Sequence, residues 1–153
     1  MNVFFGLLSL VSCTVIGYML STKFSKRKKF YINFATFNKK LENEISFSQK
    51  TLIDLVNSGV DAGEFEKCVK NYFENKKLDI QQNLLKNDEI DFIKTYLETI
   101  GSSDKITQIK YLESASKTIE NNLNAAIEDD RKYKALYIKL GFLFGLMVFV
   151  VLL

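Results

Sequence analysis

The chain has 153 residues, 47% hydrophobic and 25% charged, yet all 21 Lys and Arg and all 18 Asp and Glu fall between Lys23 and Lys139. It contains no His, no Pro and only two Cys. This excludes a Ser-His-Asp triad, an imidazole base and a His-ligated zinc, leaves a disulfide little purpose, and puts nothing in the way of long helices.

Residues 1–22, MNVFFGLLSLVSCTVIGYMLST, carry no charge. As a helix they span about 33 Å, enough for a bilayer core of about 30 Å. Lys23, Lys26, Arg27, Lys28 and Lys29 follow at once, and no acid appears before Glu42. Basic residues stay on the cytoplasmic side, so the N-terminus is expected outside, with these five cations at the inner membrane interface and Tyr18 near it. A cleaved signal peptide places its charges before the apolar run, the reverse of this order. Leu10-Val11-Ser12-Cys13 resembles a lipoprotein cleavage box only loosely, because Thr14–Leu20 stays apolar beyond the cysteine. Gly6, Ser9, Cys13 and Gly17 share one side of the helix, a pattern of small residues that lets helices approach closely in lipid.

The next segment keeps helical spacing. Phe30, Phe34, Phe37, Leu41 and Ile45 form one face, and Leu52, Leu55 and Val56 follow a polar stretch to a stop at Gly59. Asp61 and Glu64 fit a capping box for a helix that buries Phe65, Cys68, Val69, Tyr72 and Phe73, with Cys68 as a core residue. Ile80, Leu84 and Leu85 suggest a short helix. Asn87 or Asp88 is expected to cap another, which carries Ile90, Ile93, Leu97 and Ile100 to a stop at Gly101. From Asp104 a single helix of about 50 residues is expected to run into the membrane. Its seam is Ile109, Leu112, Ser116, Ile119, Leu123, Ala126, Asp130, Tyr133, Tyr137 and Leu140. Ser116 and Asp130 interrupt it, which favours an antiparallel bundle over a long two-stranded coiled coil.

The last charge-free run, 140–153, reaches only about 21 Å, but counting from Ala135 gives about 28 Å and admits Lys139, which can snorkel. Tyr133 and Tyr137 suit the interfacial belt, and Arg131, Lys132 and Lys134 lie just before the segment, so the C-terminus is also expected outside. A buried or interfacial helix is the alternative. Gly141 and Gly145 form a G-xxx-G pair, a weak signal for helix association.

The expected fold is therefore all-α: two transmembrane helices, 1–22 and 135–153, flank a cytoplasmic antiparallel helical bundle at 23–134. Charge is layered in the same way. Residues 23–40 carry +7, residues 41–130 carry −8 and residues 131–139 carry +4. The basic ends suit anionic membrane lipid and the acidic body a protein partner, with Asp88, Glu89 and Asp91 as the candidate contact surface on the outer face of their helix. Asp129 and Asp130 are expected on a solvated helix face. No phosphate-binding loop, dinucleotide fingerprint or CxxC occurs. No enzyme activity, cofactor, metal or nucleic-acid partner is expected.

Three stretches carry a family resemblance. Thr99-Ile-Gly-Ser-Ser-Asp104 followed by the long polar helix, Lys139-Leu-Gly-Phe-Leu-Phe-Gly-Leu146 with its leucine-rich ending, and Leu41-Glu-Asn-Glu-Ile-Ser-Phe47 resemble stage III sporulation protein AB. Two features depart from that pattern: Lys50-Thr51-Leu52 stands where the family has Thr-Pro-Leu, and the middle is shorter by about one helix. The resemblance implies a protein of the mother-cell membrane around the forespore, in a channel-like complex with other sporulation membrane proteins. It further implies a helical fold similar to the platform of type II secretion and type IV pilus systems, and contact with a cytoplasmic ATPase, stage III sporulation protein AA. The rival reading is a generic two-span scaffold that displays a cytoplasmic helical bundle.

Overall fold

A computed structural model describes residues 2–47, 64–78, 80 and 84–152. Among these residues there are four helices and no strand: α1 Asn2–Phe47, α2 Glu64–Asn75, α3 Asn87–Thr99 and α4 Lys105–Leu152. The all-α expectation holds, as does the single helix running from the bundle through the last apolar segment. α1 is one helix of 46 residues. No Gly or Pro stands between Gly17 and Phe47, so nothing in that stretch favours a break across the basic residues.

Contacts divide the chain into two compact units: residues 1–26 with 125–153, and residues 27–124. The first is an antiparallel pair formed by the N-terminal part of α1 and the C-terminal part of α4. Its pairing keeps one register, from Gly6 beside Phe149, through Gly17 beside Gly141, to Phe24 stacked on Tyr133 at 5.1 Å and the Ser25 hydroxyl donating to Asp130 Oδ1 at 2.6 Å.

The second unit is built on aromatic packing. Phe30, Phe34, Phe37 and Leu41 of α1 are buried together with Tyr31, as their spacing predicts. Phe34 stacks on Phe65 of α2 at 4.3 Å and meets Tyr96 of α3 edge-on at 4.8 Å. Phe65, Cys68, Val69 and Tyr72 line the inner face of α2, so Cys68 is a core residue. α3 contributes Ile93, Tyr96 and Leu97, and α4 contributes Leu112, Ala115 and Ile119. Each buried large side chain adds about 1.5–3 kcal/mol.

Several local expectations change. Leu52, Leu55, Val56, Gly59 and Asp61, with the proposed stop and capping box, lie outside the described residues. Ile80, Leu84 and Leu85 are not helical, although the two leucines are buried. α3 is capped one residue earlier than expected: Lys86 is its N-cap and its backbone N–H donates to Glu89 Oε2 at 2.8 Å, so a carboxylate of the first turn meets an otherwise open donor. At the other end Gly101 adopts φ 81°, the left-handed geometry expected of a helix stop. α2 ends instead at Lys76, which takes φ 54° without being glycine, its N–H donating to Tyr72 O and its ammonium lying 5.5 Å from the Tyr72 ring. In α4 the buried seam passes through Ala115 rather than Ser116, which is exposed, and Leu140 is exposed as well.

Candidate functional site

Two apolar stretches set the character of the first unit. α1 and α4 each contain a stretch long and apolar enough to cross a membrane, and only 17% and 11% of those stretches is buried. A core helix of a soluble protein buries most of such a stretch. Here Phe4, Leu8 and Met19 on α1, and Leu143, Phe144 and Met147 on α4, all stand exposed. An apolar surface of this extent suits lipid rather than water.

The inner side of the pair is made of small residues. A Cβ built on Gly17 would stand 2.6 Å from Tyr137 O and 3.2 Å from Gly141 Cα. One built on Gly141 would stand 2.7 Å from Cys13 O, and one on Gly145 2.9 Å from Leu10 Cα and 3.3 Å from Cys13 Cβ. These glycines let backbone meet backbone. Gly6 differs, because the atom in its way is the Phe149 ring, at 2.7 Å. Ser9 turns its hydroxyl back to Gly6 O at 2.7 Å, and Cys13 is half-buried and free of any disulfide. Gly6, Cys13, Gly17, Gly141 and Gly145 therefore lie on one seam within the chain, which pairs the two apolar stretches with each other.

The charges fall differently from the sequence expectation. Lys23, Lys26, Lys29, Arg131, Lys132 and Lys139 are exposed, and Lys28 and Lys134 half-buried, but Arg27 is buried. Its Nη2 donates to Glu89 Oε1 at 2.7 Å, with the two side chains 8% and 3% exposed. Arg27 is thus corrected from an interface cation to a core residue. It precedes Phe30, Phe34 and Phe37 on the same helical spacing, which turns it inward. Glu89 is corrected with it. Expected on an outer acidic face, it is held inside by Arg27 on one oxygen and by the α3 N-terminus on the other, where the helix dipole also favours a negative charge. Asp88 and Asp91 are exposed, as expected. Burial, and then the Glu89 carboxylate, hold the Tyr31 phenol well above its ordinary pKa, so it stays neutral.

A second polar group sits among the aromatics. The Tyr96 hydroxyl donates to Asn38 Oδ1 at 2.9 Å, and Asn38 Nδ2 donates to Leu112 O at 3.2 Å. Three helices are tied through one buried amide, which sequence reading did not single out. Asp130, expected on a solvated face, is buried under Ser25, so the interruption it makes in the α4 seam is filled by a hydrogen bond. At the other end of α4 Asp104 Oδ2 accepts from the Thr107 N–H at 3.2 Å, and the Thr107 hydroxyl first, then this N–H, lowers its pKa. Among the described residues no three of His, Cys, Asp and Glu gather as a metal site would require.

The model of the stage III sporulation protein AB family matches residues 60–153, well over half of the chain. No curated protein and no solved structure matches it.

Proposed function

The chain belongs to the stage III sporulation protein AB family, and from that premise we propose that it is a membrane platform within a sporulation complex and that its helical bundle meets a cytoplasmic, secretion-type ATPase. The carrying observation is the antiparallel pair of exposed apolar stretches closed by Gly17, Gly141 and Gly145. In a membrane such a pair puts the N- and C-termini on one side and residues 27–124 on the other. The basic residues after the first stretch and before the second favour the cytoplasm for the latter. On this reading the mother-cell membrane around the forespore holds the pair, and the complex is channel-like. The exposed acids of the second unit, Asp88 and Asp91 among them, suit a basic partner surface, an association that speeds encounter and weakens with salt.

Reporter fusions test the topology. Both termini should report an extracytoplasmic position and a cysteine at Asn75 a cytoplasmic one; a cytoplasmic C-terminus would sink the two-span arrangement. Capture of the ATPase from sporulating cells by the full-length chain tests the partner. Asp88→Lys with Asp91→Lys should weaken capture and leave the melting curve unchanged. A deletion strain that completes spores with its ATPase still at the forespore membrane leaves only the generic scaffold.

A further inference from the structure

Within the first unit, six cations stand against three acids: Lys23, Lys26, Arg131, Lys132, Lys134 and Lys139 against Glu128, Asp129 and Asp130. In the sequence the two basic groups are more than a hundred residues apart. The pair brings them to one level. Phe24 stacks on Tyr133, and Ser25 bonds Asp130, so Lys23 on α1 and Arg131 and Lys132 on α4 flank the same crossing. All three are exposed, and Lys132 also lies 5.4 Å from the Tyr133 ring.

The cations outnumber the acids by three, and Asp130 is turned inside under Ser25. Lys139 is the last charged side chain in the sequence, exposed about two helical turns beyond Lys132 on α4, past the Phe24, Tyr133 and Tyr137 cluster. From there the apolar surface begins. Cations, then an aromatic ring cluster, then exposed apolar side chains is the order of a headgroup layer above hydrocarbon. Lys139 has to extend back toward the other cations to keep its ammonium hydrated.

We infer that Lys23, Arg131, Lys132 and Lys139 form one collar around the paired helices, and that this collar holds the phosphates of anionic phospholipids and selects them from a mixed bilayer. The inference rests on the membrane reading above. Continuity with the apolar surface is what identifies the partner as lipid rather than an acidic protein, since a lipid fills both the collar and the face below it. A cation near an anionic surface favours such a lipid by roughly fivefold.

The chain has no Trp, so Tyr133→Trp places one fluorophore in the collar. The full-length variant is reconstituted in phosphatidylcholine vesicles containing phosphatidylglycerol, with bromine on the chains of one lipid or the other. At equal mole fraction, brominated phosphatidylglycerol should quench severalfold more than brominated phosphatidylcholine, and high salt should shrink the excess. Lys23→Gln with Arg131→Gln, Lys132→Gln and Lys139→Gln should bring the ratio to about one, while Lys23→Arg with Arg131→Lys, Lys132→Arg and Lys139→Arg should preserve it. Tyr137→Trp repeats the measurement should the first reporter disturb folding. Equal quenching in the parent, or an excess that survives charge removal, overturns the collar and leaves the membrane reading intact. No quenching by either lipid overturns the membrane reading itself.

Discussion

The two units solve the packing of helices in opposite ways. In residues 27–124 the helices meet through bulk: Phe34 lies between Phe65 and Tyr96, and Tyr31, Phe30 and Leu41 fill the space around them. In residues 1–26 with 125–153 the apolar stretches meet through absence, at Gly17, Gly141 and Gly145, with most large side chains turned outward and Phe24 stacked on Tyr133 at one end. The difference follows the solvent. In water, burying aromatic area drives association. In lipid that gain vanishes, and close contact between backbones takes its place. A core position in one unit therefore asks for the largest side chain that fits, and in the other for none.

The contrast breaks most sharply at a single buried position. Ile119, 1% exposed, is expected to lose at least about 4 kcal/mol as Ile119→Asp, since a charge is buried without a partner. Denaturation of the full chain in detergent, followed by helix content, checks this. Glu120→Ala, on the exposed neighbour, should lie within about 0.5 kcal/mol of the parent in the same assay. Equal curves for both would mean that Ile119 does not face the core.

Next is the buried ion pair. Arg27→Met alone should cost about 3–5 kcal/mol, because Glu89 keeps its charge without a counter-ion. Arg27→Met combined with Glu89→Leu should recover most of that loss, since a buried pair of good volume match replaces a desolvated one. If the double variant is no better than the single, the capping hydrogen bond from Lys86 to Glu89 matters more to the fold than the ion pair does. Tyr96→Phe should follow at about 1–3 kcal/mol, the cost of an unsatisfied Asn38 carbonyl.

On the other side of the comparison, Gly17→Ala and Gly141→Ala should part the apolar helices, because the obstructing atoms are backbone. Gly6→Ala should be absorbed by a rotation of Phe149, a side chain that can give way. Spin labels at positions 4 and 151, in a chain with Cys13 and Cys68 replaced by Ala, read this as a lengthened distance for the first two and an unchanged one for the third. Insertion should persist in all three. A lengthened distance in Gly6→Ala would show that the seam is tight along its whole length.

Much of this was legible in the sequence, and the parts that were not have a common cause. Periodicity located Phe30 to Leu41, Phe65 to Tyr72 and Ile93 with Leu97 because apolar residues declare their face. Arg27 and Glu89 sit on the same stripes, one step before Phe30 and Ile93, but a charged residue is ordinarily taken as the exposed end of a pattern. Only the partner from another helix reverses that, and pairing across 62 residues is not written in either local segment. Asn38 is hidden in the same way between Phe37 and Leu41. The small-residue face of α1 and the glycines of α4 were visible separately. That they face each other is a matter of register, which spacing within one helix does not carry.

The ties between α1 and α4 also impose an order on synthesis. Ser25 waits for Asp130, 105 residues later, and Asn38 for Leu112, 74 residues later. A ribosome adding roughly 5–20 residues each second needs about 5–20 s to make the longer gap. Through that interval the first helix lacks α4, its partner in both units. α2 and α3 emerge during the wait, and they cover Phe34 with Phe65 and Tyr96 before α4 exists. The element order thus makes the residues that cover the aromatic face of α1 before it makes α4. Moving α4 to the front of the gene would give the order α4, α1, α2, α3, and α1 would then emerge with its partner helix already made.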